Sequence, residues 1–382
     1  MREVVVVGGG PAGTKTAALL AKDHDVLLLE EHPSFGSPAQ CTGLITERVL
    51  RSTGVRPNIL NRLTSARFHF PDGNVIDLRT DEVKAVLIDR TELDGMMAQR
   101  AEDAGAELRT STRYTDHVHS NGNVRISADG GIIETKVIVG ADGHSSKVAQ
   151  SLGDNDPKEY IRGIQYDIRK RSDTMDTIDI YIGNGVAPGF FAWAIPFDDF
   201  TRVGLCTSWD NGLPNDYLKR ILRDNGMDSC EIMRKYSGKI PLGGRRRTYS
   251  DNLILVGDAA GQVKAISGGG LYPGLIAAEH AADTIDAALK EGDLSAKRLS
   301  AYEKAWKKEL GKSLDRAYRL RRMYVGMDDN DIDRLYPRIS DERIMDIMKD
   351  VDIDDPGIVA KRMLMHPSIT MKVAPSLLRS LI

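Results

Sequence analysis

Residues 2–31 read REVVVVGGGPAGTKTAALLAKDHDVLLLEE, with a strand signal on each side of a glycine turn and an alanine-rich helix. The run VVVV is typical of a parallel strand that is buried on both faces. Gly8, Gly10 and Gly13 match GxGxxG, in which glycines allow a tight turn, close approach of a pyrophosphate and close helix packing. Glu30 ends the second strand, where a carboxylate accepts hydrogen bonds from ribose hydroxyls. The stretch therefore predicts a Rossmann-type dinucleotide-binding fold.

Composition narrows the class of protein. A chain of 382 residues predicts two or three interlocked units, and a net charge of −3 gives no electrostatic reason to expect nucleic acid as a partner. Cys41, Cys206 and Cys230 have no CxxC spacing, which predicts a reducing compartment without a disulfide framework or a metal site. The N-terminus has no basic segment before its apolar run, and no apolar run reaches about 18 residues. A cytoplasmic protein is expected.

Two later segments carry an aspartate directly after an apolar strand. TKVIVGADGHSS (135–146) places Asp142 before Gly143, and DNLILVGDAAGQVKAISGGGLYPGL (251–275) places Asp258 after a glycine. An aspartate at a helix start is placed to bind a ribose or ribityl hydroxyl, but it also commonly caps the helix. The glycines at 268–270 leave bare backbone against which a flavin ring can lie.

These three motifs, in this order, resemble FAD-dependent enzymes of the p-hydroxybenzoate hydroxylase type. The resemblance implies that FAD is the cofactor. It implies contacts to FAD from residues in the glycine motif, the acidic strand end and the 258–271 segment: Gly8, Gly10, Ala12, Gly13, Glu30, Asp258, Gly270 and Leu271. Arg90, which begins a helix predicted to run to about Ala104, matches the arginine that such enzymes place near the flavin. The alternative is a surface arginine that pairs with Glu92 or Asp94.

The expected fold class is α/β, with a substrate part of α+β character. A discontinuous FAD-binding domain is predicted at 1–60, 85–150 and 250–290, and an antiparallel-sheet substrate domain at 61–84 and 155–248. The antiparallel prediction depends on alternating stretches such as ARFHFPDGNVIDL and TRVGLCTSW. Residues 292–382 are charged and periodic, which predicts a helical C-terminal region. No second GxGxxG-plus-acid unit is present, so a separate nicotinamide domain is not expected.

PGFFAWAIP (188–196) concentrates aromatic side chains in a chain that is only 6% aromatic. Phe191 and Trp193 are two residues apart and are predicted to lie on one face of a strand, with Phe190 and Ile195 available to the other face. On spacing alone, packing into the core is the favoured interpretation.

The same segment resembles the PxxYxWxFP signature of the geranylgeranyl reductase family, with Phe in place of Tyr and Ile in place of Phe. It is also similar to the WxWxIP motif of flavin-dependent halogenases, without the first tryptophan. Cys41-Thr42-Gly43 matches the cysteine turn that the reductases place beside the flavin, and halogenases are not marked by a cysteine there. The resemblance implies that Cys41, Thr42 and Gly43 contact FAD and that Cys41 has a catalytic role, although a lone cysteine is more often a small buried side chain.

The reductase resemblance implies saturation of isoprenoid double bonds, with digeranylgeranylglycerophospholipids as the archaeal substrate. It implies an apolar tunnel lined by Phe191, Trp193, Ile195 and Tyr272, and leaves Cys41, Tyr272 and water as alternative proton donors. The electron donor is expected to be external: NAD(P)H, a reduced deazaflavin or a ferredoxin. The competing interpretation is a flavin-dependent monooxygenase or halogenase that acts on a small aromatic compound.

A membrane-bound substrate implies contact with a membrane surface, so a peripheral position on the inner face of the cell membrane is expected. KKELGKSLDRAYRLRRMY (307–324) has the spacing of a basic amphipathic helix, with arginines at 316, 319, 321 and 322. Packing of this helix on its own protein is the favoured alternative. Arg245-Arg246-Arg247 either holds a lipid phosphate or forms a charged surface hairpin.

Overall fold

The computed structural model of the protein describes residues 1–39, 41–120, 122–349 and 353–354. The strands are β1 (Arg2–Val7), β2 (Val26–Leu29), β3 (Leu44–Ile45), β4 (Ile59–Leu63), β5 (Ser65–His69), β6 (Val75–Arg79), β7 (Ala85–Ile88), β8 (Glu107–Arg109), β9 (Tyr114–Ser120), β10 (Asn123–Ala128), β11 (Gly131–Gly140), β12 (Glu159–Ile168), β13 (Thr177–Ile182), β14 (Phe191–Pro196), β15 (Thr201–Ser208), β16 (Ile232–Leu242), β17 (Tyr249–Ser250) and β18 (Leu253–Leu255).

The helices alternate with these strands in the first part of the chain and follow one another in the last part. They are α1 (Pro11–Leu20), α2 (Glu47–Thr53), α3 (Arg90–Asp103), α4 (Lys147–Gln150), α5 (Pro214–Asp224), α6 (Leu271–Glu291), α7 (Ala296–Trp306), α8 (Lys312–Val325), α9 (Asp329–Asp333), α10 (Tyr336–Ile339) and α11 (Glu342–Lys349). The predicted α/β class is therefore confirmed.

Sheet A has the strand order β17-β18-β11-β1-β2-β8, with β10 and β9 attached to β11. The pairs of β1 with β2 and β11, and of β11 with β18, are parallel. Val4, Val5 and Val6 are fully buried because α1, α6 and α7 cover one face and a second apolar cluster covers the other. This is the arrangement that the VVVV run predicts.

Sheet B has the order β16-β12-β15-β14-β13-β5-β6, and the small sheet C has the order β3-β7-β4. Sheet B is antiparallel, as expected, apart from the parallel pair β13–β5. A parallel pair requires a crossover connection, and here the chain passes through sheet A between these two strands. Along the chain, strands of sheet A alternate with strands of sheet B, as do the predicted FAD-binding and substrate domains. The boundaries of these domains stay a prediction.

The helical C-terminal region is confirmed over the residues that the structure describes. A π-helical turn at Lys307–Gly311 joins α7 to α8, and shorter helices follow to Lys349. Residues 350–352 and 355–382 of the predicted region lie outside the described residues. Over the described part of the chain, none of the helices has both the length and the apolar character needed to cross a bilayer.

Each basic cluster contains one buried arginine beside exposed ones, which for α8 agrees with the favoured prediction of a helix packed on its own protein. Arg321 is 2% exposed and pairs with Glu159 at 2.8 Å, so only its neighbours along α8 face solvent. Arg245 is 8% exposed, and its guanidinium donates to the carbonyls of Ala259 and Asn155. These bonds give Arg245 a structural role, whereas Arg246 and Arg247 are exposed, as the surface alternative predicts.

Candidate active site

One cavity of about 1020 Å³ lies between the carboxyl ends of the strands of sheet A and one face of sheet B. The carboxyl edge of a parallel sheet is the usual ligand position in such folds. Ligand sites typically occupy about 300–1,000 Å³, so this volume leaves room for a large cofactor together with part of a substrate. The cavity has a polar end at the glycine motif and an apolar end on sheet B.

The three motif glycines have different surroundings. A Cβ atom on Gly13 would lie 2.1 Å from the carbonyl oxygen of Gly8, and one on Gly8 would lie 2.3 Å from that of Ala141. These two glycines therefore permit the close packing of α1 on sheet A. A Cβ on Gly10 would meet no protein atom within 4 Å and would project into the cavity. Gly10 thus leaves open the space that a pyrophosphate would occupy.

Two long helices begin at the cavity without a side-chain cap. The N-cap residues of α1 and α6 are Gly10 and Gly270, and neither helix has an acidic residue in its first turn. Their first N–H groups and the positive ends of their dipoles are therefore available to a ligand. Ala12, in the first turn of α1, packs against Gly257, while Leu271 begins α6 and lines the cavity. This arrangement suits phosphate and carbonyl oxygens.

Glu30 lies directly after β2, where the ribose-binding acid is predicted. One carboxylate oxygen accepts the Gly9 N–H at 2.7 Å, and the other accepts the His32 N–H at 2.9 Å. These contacts fix the carboxylate at the cavity wall. The oxygen that accepts from Gly9, Oε2, retains a lone pair for a hydroxyl donor of a ligand, whereas Oε1 also lies 2.6 Å from His32 Nδ1.

The two aspartate motifs have different roles. Asp142 accepts hydrogen bonds from the Ser146 hydroxyl at 2.6 Å and the Lys147 N–H at 2.7 Å, so it caps the start of α4. The alternative that the sequence left open, a capping aspartate, describes this position. Asp258 has no such cap contact, and a Cβ on Gly270 would lie 2.5 Å from its carboxylate. Burial raises the pKa of Asp258 to about 6, against the opposing effect of Arg90.

The glycine loop at 267–270 lies between the two ends of the cavity. Gly268 has a φ of +69°, and a Cβ there would lie 3.5 Å from the Phe190 ring. Tyr272 follows in the first turn of α6, lines the cavity and has the Arg48 guanidinium 5.8 Å from its ring centroid. The loop therefore presents bare backbone to the cavity, as the sequence predicts.

Arg90 is the first residue of α3, and its side chain is buried beside the cysteine turn. It forms a bidentate pair with Asp94, with Nη2 2.9 Å and 3.1 Å from the two carboxylate oxygens. Burial alone would lower the pKa of Arg90, but Asp94 and Cys41 outweigh burial and raise it. The alternative prediction for Arg90, a surface arginine paired with Glu92 or Asp94, was correct about Asp94 as the partner and wrong about the surface location.

The aromatic segment forms the apolar end of the cavity. Phe191, Trp193 and Ile195 share one face of β14 and line the cavity, while the intervening alanines pack on the opposite side of sheet B. The assignment of Ile195 to the other face was wrong, because residues 193 and 195 are two apart and alternate strand positions share a face. Phe190, just before the strand, stacks on Phe191 with ring centroids 4.5 Å apart.

Sheet B makes room for Trp193 through a glycine on the neighbouring strand. Gly204 is the cross-strand partner of Trp193, and a Cβ there would lie 2.7 Å from the indole ring. The indole ring therefore lies over the backbone of β15, and the side chain is 8% exposed. The segment is at once part of the core and part of the cavity wall, so both sequence interpretations describe it.

The structure brings all the predicted site residues to this cavity except Gly13 and Gly43, which act through backbone packing beside it. Cys41, Thr42 and Tyr272 line the cavity between its two ends. Sequence reasoning missed several lining residues, namely Phe68, Ile178, Ile180, Gln165, Lys264 and Asp354. The alternation in TIDIYI (177–182) carries a signal for Ile178 and Ile180. Lys264 and Asp354, which pair at 2.8 Å, have no local signal.

The polar end of the cavity fits FAD. Gly10 and the uncapped starts of α1 and α6 offer N–H groups and space to phosphates. Glu30 and Asp258 offer carboxylates to hydroxyl groups, and the glycine loop offers flat backbone to a flavin ring. Two carboxylates that accept hydrogen bonds suit the hydroxyl groups of a neutral polyol chain, and backbone N–H groups that donate them suit a pyrophosphate.

Comparison with known proteins agrees with this geometry. The family model described as FAD binding domain matches residues 1–316. The chain is 32% identical over 362 residues to a digeranylgeranylglycerophospholipid reductase of Methanothrix thermoacetophila, covering 90% of this chain and 92% of the relative. It is 30% identical to digeranylgeranylglycerophospholipid reductase 2 of Methanothermobacter thermautotrophicus, covering 91% of this chain and 94% of that one.

A solved structure, a geranylgeranyl bacteriochlorophyll reductase-like protein of Thermoplasma acidophilum, shares the fold. Its TM-score is 0.85 at 22% identity, and the match covers 98% of this chain and 99% of that one. FAD is therefore the cofactor of this family, and the polar end of the cavity is where the residues that fit it lie. The chain belongs to the FAD binding domain family and, within it, to the geranylgeranyl reductase family of FAD-dependent oxidoreductases.

Proposed function

We propose that this protein saturates the geranylgeranyl chains of a digeranylgeranylglycerophospholipid during the synthesis of archaeal membrane lipids. The observation that carries the proposal is that one continuous cavity joins the polar end, which fits FAD, to the apolar face of sheet B. The names of the relatives at about 30% identity support the same substrate class. A long isoprenoid chain is the kind of ligand that a wall of aromatic and aliphatic side chains would bind.

Saturation of an alkene adds a hydride to one carbon and a proton to the other. Bound FAD, once reduced, supplies the hydride. The residues of β14 would bind the isoprenoid chain, exclude water and hold one double bond in register, which matters because an unactivated alkene offers no charge to polarise. Phe191, Trp193 and Ile195 are the proposed substrate-binding residues.

The proton must come from a group in the middle of the cavity. Cys41 and Tyr272 both line that region, and Cys41 contacts the buried Arg90. We propose Cys41 as the catalytic residue, with Tyr272 and water as the alternative donors. Burial raises the pKa of Tyr272, so its hydroxyl remains protonated at neutral pH and can donate.

Two partners belong to the same proposal. The electrons come from an external donor, which is NAD(P)H, a reduced deazaflavin or a ferredoxin. A lipid substrate requires contact with a membrane surface, at the cytoplasmic face. Arg316, Arg319 and Arg322 along α8 are exposed and supply positive charge for an anionic surface, whereas Arg321 is buried.

The test is anaerobic incubation of dithionite-reduced holoenzyme with a digeranylgeranylglycerophospholipid, followed by mass spectrometry of the lipid. The expected result is a gain of hydrogens in steps of two. Cys41→Ser should slow this gain, and Cys230→Ser is the matched control because Cys230 lies away from the cavity wall. An unchanged lipid, together with turnover of an aromatic compound only in oxygen, would contradict the proposal in favour of a monooxygenase or halogenase.

A further inference from the structure

Two side chains of sheet B hold the backbone of the cysteine turn. The Gln165 side-chain amide, on β12, donates to the Cys41 carbonyl at 3.0 Å, and Nη1 of Arg202, on β15, donates to the Thr42 carbonyl at 2.7 Å. Gln165 is 5% exposed and Arg202 is 8% exposed. Consecutive carbonyls of the turn are therefore fixed by buried donors from a different sheet.

The orientation of Arg202 is itself fixed. Its Nε and Nη2 lie 2.6 Å and 2.9 Å from the two carboxylate oxygens of Asp167, which is 1% exposed. The Tyr236 hydroxyl donates to the same carboxylate at 2.9 Å, and the Phe197 ring lies 4.7 Å from the guanidinium. A bidentate arginine that is stacked on rings has one orientation, and here that orientation aims Nη1 at the turn.

The opposite side of the turn is held by sheet C. Gly43 has a φ of +79°, and a Cβ there would lie 2.4 Å from the Ile88 carbonyl oxygen. The Ile88 N–H donates back to the Gly43 carbonyl at 3.0 Å. The turn is thus clamped between β7 and sheet B, and Cys41 lies on the cavity wall beside Arg90.

We propose that Gln165 and Arg202, with Asp167 behind them, are positioning residues that set the orientation of the Cys41 thiol on the cavity wall. This inference rests on the proposed function, in which Cys41 holds the proton. A buried ion pair contributes little net stability but fixes geometry well. The Arg202–Asp167 pair behind the turn is therefore suited to holding the turn in one orientation. The alternative is that these side chains only link the two sheets. A positioning role predicts that variants change kcat and the reactivity of Cys41, whereas a purely structural role does not.

The deciding variant is Gln165→Leu in the holoenzyme. The Gln165 Oε1 atom has no partner among the described residues, so this change removes the bond to Cys41 and no other hydrogen bond. Arg202→Lys is the second variant, because a lysine cannot bond to Asp167 in a bidentate manner and reach Thr42 as well. Arg67→Lys is the matched control, since Arg67 bonds to Asp179 at 2.8 Å in the same sheet and neither residue lines the cavity.

Two measurements follow each variant: kcat and KM for lipid reduction, and the rate of iodoacetamide alkylation at the Cys41 peptide. For Gln165→Leu and Arg202→Lys we expect kcat to fall about 10–100-fold with KM within about twofold, because misplacement of a reacting group costs rate rather than binding. The alkylation rate of Cys41 should change by at least about threefold, and Arg67→Lys should change neither quantity.

An unchanged alkylation rate and kcat in Gln165→Leu would overturn the inference, even if Arg202→Lys failed to fold. Alkylation does not depend on the lipid. A wild-type enzyme that fails to reduce the lipid therefore contradicts the proposed function alone, while the Cys41 alkylation rates still decide the positioning role.

Discussion

Asp258→Asn in the apoprotein tests the electrostatics of the polar end of the cavity. Asp258 follows β18 and is half-buried at the cavity wall, yet no group within the described ranges donates a hydrogen bond to its side chain. Burial raises the pKa of this carboxyl from 3.8 to about 6, and Arg90 only partly opposes the effect. A carboxylate in this setting destabilises the empty protein, because its charge has lost water without gaining a donor.

The sign of the pH dependence follows from linkage. Between about pH 4 and pH 6 the folded protein binds a proton at Asp258 that the unfolded chain has released, so the free energy of unfolding falls as pH rises through this window. A shift of about two units at about 1.4 kcal/mol per unit gives about 3 kcal/mol. This is an upper value, since water in the open cavity of the apoprotein solvates part of the charge.

The assay is urea denaturation of wild-type and Asp258→Asn apoprotein at pH 4, 5, 6 and 7. We expect equal stability at pH 4 and an advantage of up to about 3 kcal/mol for the variant at pH 7. With FAD added, the order should reverse, because the carboxylate then accepts a hydroxyl donor that an amide binds less well. A difference that does not vary with pH, or a more stable wild-type apoprotein at pH 7, would refute the reasoning.

Three further predictions concern the glycine motif, the apolar wall and a buried ion pair. Gly10→Ala should leave apoprotein stability within about 0.5 kcal/mol and weaken FAD binding by about 1–3 kcal/mol. Gly13→Ala should instead destabilise the apoprotein itself. Urea denaturation of the apoprotein and titration with FAD distinguish the two effects. Trp193→Ala should raise the KM for lipid about tenfold, and Trp193→Phe should retain most of the binding; equal effects in steady-state assays would contradict this. Asp354→Asn should cost about 3–5 kcal/mol in urea denaturation by leaving the buried Lys264 ammonium unpaired, and adding Lys264→Met should recover most of the loss.

The polar end of the site could be predicted from the sequence because its signals are local. The first strand, glycine turn, helix and acidic strand end occupy thirty consecutive residues, and each glycine has a separate geometric requirement. The fold class followed from the same stretch. Asp142 and Asp258 both come directly after an apolar strand, however, and the structure is needed to separate them: Asp142 accepts from Ser146 and Lys147, whereas Asp258 makes no cap contact.

The clamp on the cysteine turn could not be predicted because its partners are far apart in sequence. Gln165 lies 124 residues from Cys41, and Arg202 lies 160 residues from Thr42. The burial of one arginine in each basic run could not be predicted either, since composition assigns a charged side chain to the surface. Arg321 is buried because Glu159, 162 residues away, offers it a half-buried carboxylate.

The glycine loop at 267–270 lies between the two ends of the cavity. The separate sequence motifs did not predict that it would link them. A Cβ on Gly268 would lie 3.1 Å from Ile240 and 3.5 Å from the Phe190 ring, so the loop is in van der Waals contact with the apolar wall. On its other side, Gly270 lies against the Asp258 carboxylate. Because a single short stretch of backbone lies between both walls, a shift of this loop on FAD binding would change the space beside Phe190. If the apolar wall binds an isoprenoid chain as proposed, its affinity for lipid should therefore differ between the FAD-loaded protein and the apoprotein, and the FAD-loaded form is the one to assay.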